Sequence, residues 1–199
     1  MAIVWRTRLN VDGYAAAGRD LVVPGFDCPG CSTPMGWWGW YRRDVRVFGD
    51  AVTIWVRRVR CSPCRRSHAV LPEFVAFGRL DEVEGVGLAL SAMLSGVSAG
   101  RVAVAAGVGH STARSWRARF RCRAGSLLAG LVAAVVAVSG LAPREHRDAE
   151  LGVVEVVELL RAVAERRWPG QVGTRWRLAN VMVGGHLLST NMDPLWSAR

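Results

Sequence analysis

The stretch VRRVRCSPCRRSHAVLP, Val56 to Pro72, sets a Cys-x-x-Cys pair between runs of arginine. Thiols at that spacing can be a redox dithiol, half of a metal site, or part of a surface that grips nucleic acid. The decision comes from upstream, where Cys28-Pro-Gly-Cys31 forms a second pair, separated from Cys61-Ser-Pro-Cys64 by 29 residues. A Cys-x-x-Cys turn directs both sulfurs to one side, and two such turns brought together make the tetrahedral four-sulfur cage that zinc prefers. Pro29, Gly30 and Pro63 suit tight turns, and Arg60, Arg65 and Arg66 favour thiolates electrostatically. The expectation is one structural Zn2+ on Cys28, Cys31, Cys61 and Cys64, with no coordination position left for water or substrate. A thioredoxin-type dithiol needs a knuckle at a helix start within an α/β pattern. Disulfides need an oxidising compartment, for which there is no signal. Cys122 is read as an unpaired residue on a helix, and His68 as a hydrogen-bonded histidine near the ribbon rather than a ligand.

Between the knuckles, residues 40–61 read as a hairpin. Val45 and Val47 alternate on one arm, Val52, Ile54 and Val56 on the other, and Gly49-Asp50 supplies the turn. The hairpin carries Arg42, Arg43, Arg46, Arg57, Arg58 and Arg60 together with Trp37, Trp38, Trp40, Tyr41 and Trp55. Arginines interleaved with aromatics suit phosphate contact and base stacking. The tryptophans are expected to form the core of the small ribbon, and Arg42, Arg43, Arg57, Arg58, Arg60, Arg65 and Arg66 to include DNA phosphate contacts. The plainer alternative makes these arginines a solvated face.

Composition supports a polyanionic partner. The 199 residues are 51% hydrophobic, enough for packed cores, and carry a formal charge of +10. Every basic residue is arginine, which excludes lysine chemistry: neither a Schiff base nor a phosphate-loop Gly-Lys-Ser/Thr can be built. Residues 1–80 hold 12 arginines against 6 acids, and 81–125 hold 6 against 3. Residues 126–199 are nearly neutral, with 8 against 7. No amino-terminal apolar run follows MAIVWRTRLNVDGY, so a cytoplasmic protein is expected. Residues 124–143 lack charge, but Ala, Gly and Ser dilute them, so a buried or subunit-pairing helix is favoured over a membrane span.

From Asp81, read as a helix cap, apolar residues recur at helical spacing through Val83, Val86, Leu90, Met93 and Leu94, and Ser95-Gly96 ends the run. Ser98 to Arg121 then reads as a helix-turn-helix, with helices at about 98–106 and 110–122. Such a unit needs a small residue at the helix crossing, a glycine at the turn and apolar positions on the inner face of the second helix. Ala103, Gly107, Val108, Ala113 and Trp116 fill those places. The outer face presents His110, Ser111, Thr112, Arg114, Ser115 and Arg117, with Arg119 and Arg121 beyond, as candidate DNA contacts. Ser111 and Thr112 alternatively cap the helix. Further helices are predicted at 126–141, through ELGVVEVVELLRAVAERR, and at 173–188. The fold class is α+β, mostly α: zinc ribbon over 1–78, helix-turn-helix over 79–124, helical packing or self-association region over 125–199.

Catalysis of nucleotidyl transfer needs about three carboxylates around two metals. The acids are scattered, and those from Glu145 to Glu165 read as a solvated helix face, so no enzyme is expected.

With knuckles, hairpin and helical reader in place, WGWYRRDVRV, VRRVRCSPCRRSHAVLP and the carboxy-terminal GGHLLSTNMDPLW resemble a family of bacterial zinc-ribbon proteins found around mobile elements. Ribbon and helix-turn-helix also resemble the amino-terminal DNA-binding region of some insertion-sequence transposases, without their long catalytic domain. A second knuckle in such proteins often ends with Gly, where this chain has Arg65. The resemblance implies zinc on the four cysteines and DNA contact around His110 to Arg121. The expected function is a non-catalytic, zinc-stabilised duplex-DNA binder, a transposition accessory or transcription regulator. Its expected partners are DNA, a second copy of the chain or a transposase. The alternatives are an RNA-binding ribbon protein and a small membrane-associated protein.

Overall fold

The computed structural model describes residues 2–188. Strand β1 (Ala2–Trp5) leads into helix α1 (Val11–Ala17), whose N-cap Asn10 accepts a hydrogen bond from the Gly13 amide. Then come the long arms β2 (Gly36–Val47) and β3 (Asp50–Arg60), followed by β4 (Ser67–Pro72). The sheet order is β1-β4-β3-β2, with β1 parallel to β4 and the other pairs antiparallel. The expected hairpin is therefore half of a four-stranded sheet, since β1 and β4 join it.

Its turn sits one residue earlier than the sequence suggested. Val47 pairs with Asp50, so Phe48 and Gly49 are the turn residues, at φ 48° and 96°. Two consecutive positive φ values characterise the tight hairpin turn whose twist matches the flanking strands. One side of the sheet buries Val45, Ile54, Val56 and Leu71 against Val11, Tyr14 and Phe74. A smaller cluster of Val23, Val59 and Val70 recruits Phe26, Met35 and Trp40. The tryptophans are not the ribbon's core as expected. Trp37 and Trp38 are 46% and 55% exposed, and Trp40 and Trp55 are only partly buried. The interior is filled instead by Val45, Ile54, Val56 and Leu71 together with Tyr14 and Phe74, and Trp40 only borders the smaller cluster.

Helix α2 (Val83–Leu94) follows, then α3 (Ala99–Ala105), α4 (His110–Ser139), α5 (Ala149–Arg167) and α6 (Arg175–Met182). Two boundaries differ from expectation. Asp81 does not cap α2: Glu82 holds that position, and Asp81 instead pairs with Arg46 at 2.9 Å. Helix α4 is one continuous 30-residue helix where two were expected, so the boundary placed at 124/125 falls inside it. Its buried positions Ala113, Trp116, Phe120, Ala124, Leu127, Leu131 and Val135 keep one apolar face across the change from arginine-rich to apolar sequence. By length and composition α4 is the one helix among the described residues able to cross a membrane. Here its apolar face lies against α5, and both contribute to the large helical core.

Trp176 of α6, fully buried, closes that core over Gly87 of α2, where a Cβ would stand 2.1 Å from Trp176 Cγ. After α6 the chain returns to the junction of sheet and helices. The Phe77 amide donates to the Gly185 carbonyl, and His186 lies against the Phe77 ring. The motif GGHLLSTNMDPLW is thus described as far as Leu188; its remainder lies outside the described residues.

Candidate metal centre and arginine surface

The first knuckle closes by amide bonds from Cys31 and Ser32 to the Cys28 carbonyl, the second by the Cys61 amide on the Arg66 carbonyl. Ser32 and Arg65, each just after the second cysteine of its knuckle, adopt positive φ of 54° and 59°. Both positions call for the left-handed backbone that glycine supplies most easily, so Arg65 holds by strain the place where a glycine was noted as usual.

The hairpin arms bring the knuckles together. Cys28 Sγ lies 3.5 Å from Cys64 Sγ and Cys31 Sγ 3.3 Å from Cys61 Sγ, and all four sulfurs fall within 4.8 Å of one another. A tetrahedral ion with metal–sulfur bonds of about 2.3 Å needs sulfur–sulfur edges of about 3.8 Å, so the four residues fit a single ion. The protons of the four thiols are unevenly held. Hydrogen bonding with Thr33 lowers the Cys31 pKa to about 6, and the Arg66 amide lowers that of Cys64. The Cys64 amide favours the Cys61 thiolate, but burial and the neighbouring thiols push its pKa up to about 12. A cation among them removes that conflict by stabilising every thiolate at once. His68 is not in the cluster. It is buried on β4, with neither ring nitrogen hydrogen-bonded among the described residues, which corrects the expectation of a satisfied histidine. Burial lowers its pKa. Cys122 is exposed and unpaired, as expected.

The hairpin's other end meets the helices. Gly107, at φ 64° in the turn 106–109 between α3 and α4, packs so tightly on Phe48 and Gly49 that a Cβ would stand 2.6 Å from the Phe48 carbonyl oxygen. Beside this contact the Arg46 amide donates to the Leu80 carbonyl, and the Glu82 amide to the Arg46 carbonyl. The sheet thereby braces the start of α4. Ala103, Ala113 and Trp116 are buried between the helices and Val108 partly so, at the positions the spacing marked. Gly109 is the N-cap, without a side-chain cap bond, so neither Ser111 nor Thr112 caps α4.

The candidate DNA-contact residues divide by what already holds them. His110, Ser111 and Arg114 are exposed on the first turns of α4. Thr112, Ser115 and Arg119 are half-buried and line a groove of about 410 Å3 with Arg46 and Arg79, two arginines the sequence reading left out of the site. Their place in it depends on the sheet docking on α4, which no local pattern announces. Arg119 Nε also donates to Ser115 Oγ. Arg117 and Arg121 form a fork on Glu150, at 2.8 and 3.0 Å, so Glu150 is a buried partner and not the solvated acid expected.

On the ribbon, Arg43 turns inward to the Ala76 and Arg79 carbonyls and serves as a strut. Arg58 donates to Ser67 Oγ. Arg57 stacks on Trp37 and Trp40 at 4.1 and 4.5 Å, and Arg60 on Trp38 at 4.4 Å. Arg42, Arg65 and Arg66 are exposed.

A family model described as a domain of unknown function (DUF6431) matches residues 28–116, from Cys28 to Trp116. The matched segment holds both knuckles, the hairpin, α2, α3 and the first two turns of α4. No curated protein and no solved structure matches the chain.

Proposed function

We propose that the chain is a non-catalytic DNA-binding protein in which a structural zinc on Cys28, Cys31, Cys61 and Cys64 fixes an arginine-rich ribbon against a helix-turn-helix formed by α3 and α4. The observation that carries the reading is the seat of the Phe48-Gly49 turn on Gly107. It fixes ribbon and reader against each other, and it sets the Arg46, Arg79 and Arg119 groove beside the exposed amino-terminal turns of α4. Zinc suits four thiolates in tetrahedral array, and its closed shell stabilises the fold without supplying chemistry. On the duplex, His110, Ser111 and Arg114 reach base edges, while Arg42, Arg65 and Arg66 hold phosphates. Arg117 and Arg121 serve first to lock α4 to α5 through Glu150. The resemblance to mobile-element proteins favours a role beside a transposase or at a promoter.

Selection of bound duplexes from a random pool, with affinities measured over a salt series, tests the reading. Log affinity should fall with log salt by about 0.9 per phosphate neutralised. Arg114→Ala should relax sequence preference at one position by about 1–3 kcal/mol, and Arg42→Ala should weaken all duplexes alike and reduce the salt slope by about 1. A flat salt response, or a pool that yields no preferred sequence, would reject it.

A further inference from the structure

We propose that the cysteine end of the hairpin binds an unpaired DNA strand by base stacking on Trp37 and Trp38, so that the protein's full ligand is a duplex carrying a single-stranded extension. The second half of this statement rests on the duplex reading above; the first half does not.

Two indoles stand in water on β2, the edge strand of the sheet, and both line one groove of about 350 Å3. Exposed single apolar residues are ordinary, but two adjacent tryptophans, each about half exposed and lining one groove, make a large aromatic patch of the kind found at interfaces. The register shift between Trp37 and Gly39 explains how neighbours in sequence come to share a groove, because a bulge breaks the strict alternation of a strand.

The rest of the lining names the partner's chemistry. Arg60, Arg65 and Ser62 complete the groove with Gly36, and no acid is among them. Aromatic faces beside guanidinium groups suit a ligand with π-faces strung on a polyanion. An acidic or proline-rich peptide offers one of these features but not both. Within a duplex the base faces are stacked on one another, so only an unpaired strand can present them. The platform is also held still. Arg60 backs Trp38, Arg57 backs Trp37, and Ser62 and Arg65 belong to the metal knuckle itself. A rigid platform loses little freedom on binding.

Fluorescence anisotropy with the metal-loaded full chain tests this with four probes: a blunt duplex, the same duplex with a thymidine tail, a free dT12 and a free U12. The tailed duplex should bind more tightly than the blunt one, and dT12 should bind by itself. In Trp37→Ala/Trp38→Ala, binding of dT12 and the gain from the tail should fall at least about fivefold while blunt-duplex affinity stays unchanged. Trp37→Phe/Trp38→Phe, which keeps two rings, should lose less, and metal content and circular dichroism verify that both variants fold. Equal affinity for tailed and blunt duplex, or a tail gain that survives loss of both rings, overturns the proposal. Tighter binding of U12 than dT12 overturns its assignment to DNA. A blunt duplex left unbound while dT12 binds supports the stacking groove and overturns the reading of α4.

Discussion

The sheet and the helical body solve the same stability problem with different materials. The helices bury Trp176, Phe120, Leu90, Leu127, Leu131 and Leu160 almost completely in one continuous core. The sheet has two smaller clusters, and its knuckle end lies beyond the larger one, where Trp37 and Trp38 face water. A core that small supplies little stability, so the ribbon depends on a four-sulfur site, backbone bonds and arginine stacks. The helical body can spend its interior on packing. The ribbon keeps its arginines and rings outside, where a ligand can reach them.

The sharpest way to break this contrast is to remove the metal site. Cys61→Ser should abolish stoichiometric metal binding and unfold the knuckles, because the folding free energy of a structural zinc module is largely that of metal binding, about 10–16 kcal/mol in isolated fingers. Hydrogen exchange should show protection lost over 28–66 and kept in α2, α4 and α5. A variant that retains both its metal and its ribbon protection contradicts the assignment of the cage.

The helical body should fail differently. Gly87→Ala drives a methyl group into the Trp176 ring, and neither the α2 backbone nor a fully buried indole has space to retreat. The expected cost is about 3 kcal/mol, at the upper end for overpacking, read as a lower urea midpoint with metal content unchanged. Loss of metal together with the helices would mean that the two regions fold as one cooperative unit.

The same contrast explains what could be read from the residues alone. Cys28, Cys31, Cys61 and Cys64 were legible because their spacing is a statement about local geometry, and Ala103, Gly107 and Trp116 because a helix crossing demands small, turning and apolar residues in order. β1 and β4 were not legible: each is short, and each becomes a strand only through a partner far along the chain. The continuity of α4 was hidden by the composition change at Ala124-Gly125-Ser126. Charge and hydropathy change there, but the buried stripe does not. Glu150 looked solvated because nothing local reveals that the connection 140–148 brings the first turn of α5 back to Arg117 and Arg121.

The smallest expected effect isolates the ribbon's own compromise. Arg65 occupies a left-handed backbone at φ 59°, which costs a non-glycine residue about 1 kcal/mol, and it contributes an exposed charge to the groove beside Trp38. Arg65→Gly removes the strain, and the greater freedom of glycine in the unfolded chain takes part of the gain back. The net should be a ribbon more stable by about 0.5 kcal/mol, seen as slower metal release to a chelator. Nucleic-acid affinity should fall and its salt slope decrease by about 1. If stability rises and affinity holds, Arg65 is a strained residue without a ligand. If both fall, its guanidinium supports the knuckle itself. Only a rise in stability paired with a fall in affinity identifies the arginine as a charge kept for binding at the expense of the fold.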